Sequence, residues 1–192
     1  MEAIRYLPNH TPPAQPFPVV LKVNSSFKKS ISFIMKEMQP SSCIISKGEP
    51  LFVRQNGEQT AIKWLSSTDE EEELYFAYLA TPDQSVQLDT TLDFSGQLMV
   101  EGTAEDIQEI SGNNQVTIRN YHWVDSNRDY IIDDGEILAI YNIFDILQDL
   151  GIDIAEIRQI WAHKGYRYHA GKFEVVDGVP TNIDSTQVRI TP

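Results

Sequence analysis

Acidic and amide side chains recur at regular intervals in the segment DSNRDYIIDDGE, which spans residues 125–136. Counted from its first acid, positions 1, 3, 5, 9 and 12 are Asp125, Asn127, Asp129, Asp133 and Glu136. Ile131, at position 7, can add its backbone carbonyl oxygen. A calcium ion takes about six to eight oxygen ligands, and a tightly wound loop can turn alternate side chains towards one point. The segment therefore predicts a Ca2+ site with these six residues as ligands.

The order of these ligands resembles the calcium loop of EF-hand proteins over twelve residues. The resemblance implies that Glu136, at the start of the next helix, contributes both carboxylate oxygens. Position 6 departs from the pattern, because Tyr130 stands where EF-hand loops use glycine; a bulky residue with positive φ costs about 1 kcal/mol or more. The alternative interpretation is an acidic surface turn that caps a helix through Asp133 or Asp134. A single loop favours a structural ion over a calcium sensor.

Composition limits the partners that the chain can have. The 192 residues include 28 acidic and 15 basic side chains, giving a net charge of −13. Such a surface repels nucleic acid and anionic membranes and favours divalent cations. The sequence lacks the run of about 18 apolar residues that a transmembrane helix needs, so membrane insertion is not expected. Its single cysteine, Cys43, excludes an internal disulfide.

Short stretches of alternating apolar and polar residues dominate the first two thirds of the chain. Period-two alternation predicts half-buried strands, and several such strands separated by turn residues are typical of an antiparallel β-sandwich. The proline-rich residues 1–17 are expected to form an extended lead-in. The predicted strands are 18–24, 30–38, 42–46, 51–54, 60–65, 74–80, 87–94, 95–102 and 114–124.

The apolar period changes after residue 133. Apolar residues at helical spacing predict one helix over 136–150, and Asp153 followed by Glu156 predicts the start of a second over 154–164. Residues 166–176 are expected to form a β-hairpin and 188–192 a last strand. The predicted organisation is a β-sandwich over 1–118 followed by a small α+β segment over 119–192, joined through a strand–calcium loop–helix unit.

Motifs within residues 3–102 are similar to the Ig-like, cohesin-like sandwiches of exported bacterial proteins. The motif residues are Glu37 with Pro40, Trp64, Tyr78 with Pro82, and Phe94-Ser95-Gly96. The chain differs after Pro40, where it has Ser41-Ser42-Cys43 instead of Gly-Trp. The resemblance implies a dockerin-like calcium segment after the sandwich and an extracellular or cell-surface location. Because the first ten residues lack the apolar region of a signal peptide, the chain is expected to be a fragment of a longer exported protein.

Patterns typical of catalysis are missing from the sequence, which contains no GxSxG, P-loop, GxGxxG or HExxH motif. No catalytic residue is predicted, and the chain is not expected to be an enzyme. Cys43, in an apolar strand, is expected to be a buried inert thiol. Trp161, Tyr166 and Tyr168 could form an aromatic platform for a sugar, although their spacing favours burial against the helix over 136–150.

Two functions are consistent with these features. The first is a non-catalytic calcium-binding module of an exported or cell-surface protein, in which the ion stabilises the junction between sandwich and helices. The alternative is an adhesion module that binds a protein or polysaccharide partner, as cohesins and carbohydrate-binding modules do. An exposed apolar or aromatic patch on one sheet face would favour the alternative.

Overall fold

A computed structural model of the chain describes residues 1–55, 61–69, 73–102 and 107–178. The strands are β1 (Glu2–Tyr6), β2 (His10–Thr11), β3 (Phe17–Asn24), β4 (Ile31–Met38), β5 (Cys43–Glu49), β6 (Val53–Gln55), β7 (Ala61–Thr68), β8 (Glu73–Pro82), β9 (Thr91–Asp93), β10 (Ser95–Val100), β11 (Ile107–Glu109), β12 (Ser111–Gly112), β13 (Gln115–Ile118), β14 (Tyr166–His169) and β15 (Lys172–Val175). The helices are α1 (Asp134–Tyr141), α2 (Phe144–Asp149) and α3 (Ile154–His163).

Two sheets make up most of the described part of the chain. The first sheet has the strand order β12-β1-β3-β8-β5 and the second has the order β11-β10-β4-β7-β6. Strands pair antiparallel within them, except that β1 and β12 are parallel. Strands β2, β13 and β9 form a small third sheet, and β14 with β15 forms a hairpin. The prediction of an antiparallel β-sandwich followed by a small helical segment is confirmed.

Alternating side chains of facing strands fill the space between the two large sheets. On β4, Phe33 and Met35 are buried, while Ile34 between them is exposed. The Phe33 ring lies 5.8 Å from that of Phe76 on β8, in an edge-to-face arrangement. Trp64 on β7 completes this aromatic cluster, with its ring 5.7 Å from Phe76. Alternation in the sequence therefore corresponds to burial in the sandwich, as the period of a strand requires.

The proline-rich start of the chain is not a lead-in outside the fold, so that prediction is wrong. Strand β1 pairs along its whole length with β3 in the first sheet. Arg5 on β1 is buried to 1% exposure and points into the core. Prolines are compatible with this arrangement because Pro8, Pro12 and Pro13 lie between strands or after them, where no ladder hydrogen bond is lost.

The helical segment differs from prediction in one place. The helix expected over 136–150 is broken at Asn142 and Ile143 into α1 and α2. The break lets Leu150 pack on Val20, Ala77 and Leu79, which lie on the outer face of the first sheet. Helix α3 starts, as predicted, at the N-cap Asp153. The described helices lack the combination of length and hydrophobicity that is needed to cross a membrane.

Two other predicted elements have separate outcomes. The hairpin is confirmed: its strands β14 and β15 are joined at Ala170 and Gly171, which both have positive φ. Cys43 is buried, as expected, and burial raises the pKa of its thiol to about 12. The strand predicted over 188–192 lies outside the described residues.

Candidate functional site

The segment of residues 125–136, called the acidic loop below, is organised around the buried carboxylate of Asp125. One of its oxygens, Oδ1, accepts hydrogen bonds from the backbone N–H groups of Arg128 (2.6 Å) and Asp129 (3.2 Å). The other, Oδ2, accepts from the backbone N–H of Tyr130 (3.0 Å) and from the Tyr166 hydroxyl (2.6 Å). Burial raises the pKa of this carboxyl, although the hydrogen bonds oppose the shift. Asp125 therefore fixes the backbone of the loop from inside.

Two further predicted ligands accept hydrogen bonds from backbone N–H groups two residues further along the acidic loop. The Asn127 side-chain oxygen accepts a hydrogen bond from the backbone N–H of Asp129 at 3.0 Å. Asp129 repeats the arrangement, with its Oδ1 accepting from the backbone N–H of Ile131 at 2.9 Å. The Asn127 amide also donates to Asp129 Oδ2 at 3.0 Å. Alternate side chains thus turn back on the loop, as the spacing predicts, but here they bind backbone groups.

The end of the acidic loop is a helix cap. Asp133 is the N-cap of α1 and accepts from the backbone N–H of Glu136, whose side chain in turn accepts from the backbone N–H of Asp133. The other Glu136 oxygen accepts from the backbone N–H groups of Ser126 (2.6 Å) and Asn127 (3.2 Å). Asp133 is therefore the N-cap, one of the two residues that the helix-capping interpretation named for that role. Glu136 also ties the two ends of the loop together.

Tyr130 adopts the backbone conformation that an EF-hand loop requires at position 6. Its φ is 65°, in the left-handed region where glycine is preferred. The side chain offsets this strain by packing, since its ring lies 4.7 Å from that of Tyr121 and 5.7 Å from that of Tyr166. Each aromatic contact of this kind contributes about 0.5–1.5 kcal/mol. The loop therefore follows the predicted path despite lacking glycine.

The backbone conformation of the acidic loop supports calcium binding, whereas the arrangement of its side chains does not. Asp125 and Glu136, at the two ends of the predicted ligand series, both hold backbone groups of the same loop. Within residues 1–55, 61–69, 73–102 and 107–178, however, no group of three or more His, Cys, Asp or Glu side chains is arranged to hold a metal ion. The residues fit the turn of a calcium loop, and the calcium site itself stays a prediction.

A buried layer behind the acidic loop was not predicted from the sequence. The Tyr166 hydroxyl, besides donating to Asp125, accepts from the backbone N–H of His122 at 2.8 Å. Burial lowers the pKa of His122 to about 3, so its imidazole is neutral. His10 lies against it, with Nε2 3.1 Å from the His122 carbonyl oxygen. Tyr166 lies 41 residues beyond Asp125, and no local pattern in the sequence indicates that they meet.

The three aromatic residues considered as a sugar platform do not share one exposed surface. Tyr166 is buried beneath the acidic loop. Trp161 is 39% exposed, and its indole N–H donates to Asp134 on α1 at 2.8 Å. Tyr168 is half-buried and donates to the Pro13 carbonyl oxygen. The expectation that they are buried against the helix over 136–150 is therefore not met: Trp161 is exposed beside Asp134, and Tyr166 is buried against Asp125.

An exposed line of apolar side chains crosses the outer face of the second sheet. It consists of Ile107, Met99, Ile34 and Leu65, which we call the apolar row. Each is directly paired with the next across neighbouring strands. Directly paired residues point to the same side of a sheet. Ile107, Ile34 and Leu65 are 58%, 38% and 78% exposed, so the row is open to solvent.

The two sheets differ in what covers their outer faces. Val20, Ala77 and Leu79 on the first sheet are buried under residues of the helical segment. The apolar row on the second sheet remains exposed. Beside it, Lys36 is paired directly with Lys63 on the same face. Like charges placed opposite each other in a sheet repel, and the same row continues from Lys36 through Gln97 to the acidic Glu109.

Comparisons with known proteins add similarities of shape only. The sequence matches no protein-family model and no curated protein. Among solved structures, the major pilin subunit of Bacillus cereus matches with a TM-score of 0.47 and 9% identity, over 62% of this chain and 40% of the pilin. A chain of the CaDoc0917–CaCohA2 complex matches with a TM-score of 0.43 and 8% identity, over 61% of this chain and 99% of the other. The pilus backbone of Streptococcus pneumoniae matches with a TM-score of 0.31 and 6% identity, over 52% of each chain. This chain thus spans less than half of the Bacillus cereus pilin, and similarities with TM-scores below 0.5 carry no functional inference.

Proposed function

We propose that the chain is a non-catalytic, protein-binding adhesion module that contacts its partner through the outer face of the second sheet. The observation that carries this proposal is the apolar row, in which Ile107, Met99, Ile34 and Leu65 lie in register across four strands. Contiguous exposed apolar surface on a soluble domain is typical of an interaction site. The motif resemblance in residues 3–102 supports placing the module in an exported or cell-surface protein.

The lysine side chains beside the apolar row indicate which kind of protein segment would bind there. Lys36 and Lys63 flank the apolar row and oppose each other directly. Acidic groups on a partner would neutralise their repulsion, while its apolar side chains would cover the row. We therefore propose a protein segment that combines apolar residues with neighbouring Asp or Glu side chains. The chain as a whole has a net charge of −13, which disfavours binding of such a segment where no lysine pair is present.

Replacing Leu65 with lysine is expected to abolish most of the binding without affecting the fold. Leu65 is 78% exposed, so the free energy of unfolding should change by less than about 0.5 kcal/mol. A central apolar contact in an interface contributes about 2 kcal/mol or more, which corresponds to a loss of roughly tenfold or more in affinity. The measurement is the affinity of peptides selected on the wild-type protein from a random displayed library.

The matched control is Leu138→Lys, because Leu138 is also exposed, at 68%, but belongs to α1 and not to the second sheet. Selected peptides should retain their affinity for this variant and be enriched in acidic and apolar residues. The proposal is wrong if no peptide is selected, or if both variants lose affinity equally.

A second candidate function is calcium binding by the acidic loop. Two features support it: the ligand spacing of Asp125, Asn127, Asp129, the Ile131 carbonyl, Asp133 and Glu136, and the left-handed backbone of Tyr130. In this proposal the ion joins the sandwich of residues 1–118 to the segment of residues 119–192. It would replace hydrogen bonds that the carboxylates now make to the backbone, so the loop would close around it.

Glu136→Ala should weaken calcium binding more than Asn127→Ala. Glu136 would supply two of about six to eight oxygens and Asn127 only one neutral oxygen, so we expect a loss of roughly tenfold or more for the first and less for the second. Asp134→Ala is the control, because Asp134 lies outside the ligand spacing. Calorimetric calcium titration gives the order, and equal affinities of the Glu136 and Asn127 variants would contradict a bidentate Glu136.

A further inference from the structure

A groove in the helical segment has the chemistry of a ligand site. It has a volume of about 820 Å³ and lies between the end of α1, α2 and the start of α3. Its lining includes Tyr141, Phe144, Asp145, Gln148, Arg158 and Gln159. Small-molecule sites in proteins have volumes of about 300–1,000 Å³ and combine apolar walls with a few polar groups. The groove lies on a different part of the molecule from the apolar row and the acidic loop.

Aromatic side chains form one wall of the groove. The rings of Tyr141 and Phe144 lie 5.4 Å apart and are inclined by 57°, so they form a corner. The Arg158 guanidinium lies over the Phe144 ring, 5.5 Å from its centroid. Stacking on a ring restricts the guanidinium and leaves its N–H groups directed outwards. The groove therefore offers the exposed ring of Tyr141 next to an oriented hydrogen-bond donor.

Polar groups around this corner are available to a ligand. The Asp145 carboxylate and the Gln148 and Gln159 amides line the groove. Their side chains make no hydrogen bond to other described residues. Carboxylate, amide and guanidinium groups are planar, and each can contact two adjacent hydroxyl groups at once. Such pairs of donors and acceptors are the complement of the vicinal hydroxyls of a sugar.

Charge restricts the class of ligand further. Asp145 and Asp153 line the groove together with a single cation, Arg158. This local excess of negative charge, on a chain of net charge −13, disfavours phosphorylated, sulfated or carboxylated ligands. A neutral sugar fits both the charge and the polar groups, since its C–H face can lie on the exposed Tyr141 ring while its hydroxyls meet the planar polar groups. We propose that the groove binds a short neutral oligosaccharide.

The test uses the whole chain, labelled with 15N, and a panel of neutral trisaccharides that includes maltotriose, cellotriose, xylotriose, mannotriose and chitotriose. At least one trisaccharide should shift the amide signals of residues 141–159 and leave those of the second sheet unchanged. Tyr141→Ala should weaken this binding by about fivefold to tenfold, because it removes one ring of the corner. Arg158→Met, which keeps the apolar stem, should weaken it as well.

Tyr6→Ala is the matched control, since Tyr6 is 50% exposed and Tyr141 61% exposed, but Tyr6 lies on β1. It should bind the trisaccharide as the wild type does. The proposal is overturned if no neutral trisaccharide shifts the groove amides, if the Tyr141 and Tyr6 variants bind equally, or if a capped tripeptide shifts these amides and the sugars do not. Peptide binding by the sheet face should be unchanged in Tyr141→Ala, which separates this result from that of the proposed protein-binding function.

Discussion

Replacing Arg5 with alanine is expected to lower the free energy of unfolding by about 3–5 kcal/mol. Arg5 on β1 and Glu37 on β4 form a bidentate ion pair between the two sheets, with Nε 2.6 Å from Oε1 and Nη2 2.8 Å from Oε2. Both side chains are almost completely buried. Removing the guanidinium leaves a carboxylate in the core with no neutralising partner, which accounts for the large cost.

Neighbouring residues hold Glu37 in this position. The Tyr78 hydroxyl donates to its Oε1 at 3.3 Å. On the opposite side, a Cβ added to Gly96 would lie 2.2 Å from its Oε2, so glycine leaves the space that the carboxylate occupies. Glu37, Tyr78 and Gly96 are also residues of the motifs that resemble exported sandwiches. In this chain, Tyr78 and Gly96 lie next to the buried carboxylate of Glu37.

Denaturant unfolding of two further variants checks the interpretation. Lys22→Ala, which removes a partly exposed ion pair with Glu73, should cost less than about 1 kcal/mol. The double variant Arg5→Met/Glu37→Met should recover much of the lost stability, because no unpaired charge remains. If Arg5→Ala costs no more than Lys22→Ala, the ion pair does not stabilise the sandwich as described.

The pH dependence of the Arg5→Ala variant has a definite sign. Burial raises the pKa of Glu37 above its usual value, although Arg5 opposes the shift. A carboxyl with a raised folded-state pKa binds a proton more tightly in the folded state, so its contribution to stability increases as the pH falls. Removing Arg5 removes the main interaction that opposes this shift, so the pKa of Glu37 should be higher still in the variant. The difference in unfolding free energy between wild type and Arg5→Ala should therefore be smaller at acidic pH than at pH 7.

Calcium is expected to raise the thermal stability of the chain if the acidic loop binds it. At a calcium concentration a hundredfold above Kd, ligand binding adds about 2.7 kcal/mol to the free energy of unfolding. For a chain of this size the melting temperature should increase by roughly 5–10 °C relative to excess chelator. Magnesium should substitute poorly, because a small octahedral ion cannot use so many ligands.

Acid should remove the calcium effect. Burial raises the pKa of Asp125, and calcium binds only the ionised carboxylate. Protons therefore compete with the ion, and the stabilisation should be present at pH 7 and decrease as the pH falls. The Glu136→Ala variant is the control: with a tenfold weaker site, the same calcium concentration should raise its melting temperature by only about half as much as in the wild type, or less. Identical melting curves of the wild type under both conditions would contradict the role of calcium at the junction.

Elements with a strong local pattern could be predicted from the sequence alone. Alternation in 18–24 and 30–38 corresponds to β3 and β4. The capping residues Asp133 and Asp153 mark the starts of α1 and α3. These features depend on neighbouring residues in the chain, because side-chain period and hydrogen bonds to nearby N–H groups act over a few positions. The tight path of the acidic loop was predictable for the same reason.

Elsewhere the local pattern was overridden. Residues 87–94 alternate, yet only Thr91–Asp93 form a strand, and Asp89 has a φ of 66° that interrupts extended structure. The strand predicted over 114–124 ends at Ile118. Beyond it, His122 is buried against Tyr166, a contact between segments that are distant in sequence. Alternation therefore predicts the capacity to form a strand, while available partners decide its length.

The amino-acid sequence alone was sufficient to predict the antiparallel sandwich, a helical segment with a hairpin after it, and the turn of the acidic loop. Only the tertiary structure placed Arg5 against Glu37, Tyr166 against Asp125, and the apolar row across four strands. It also left the outer face of the second sheet exposed while helices covered that of the first. The physical reason is the distance along the chain over which each interaction acts. Side-chain periodicity and helix capping involve residues a few positions apart, whereas the partner of a side chain across the core depends on how whole sheets pack.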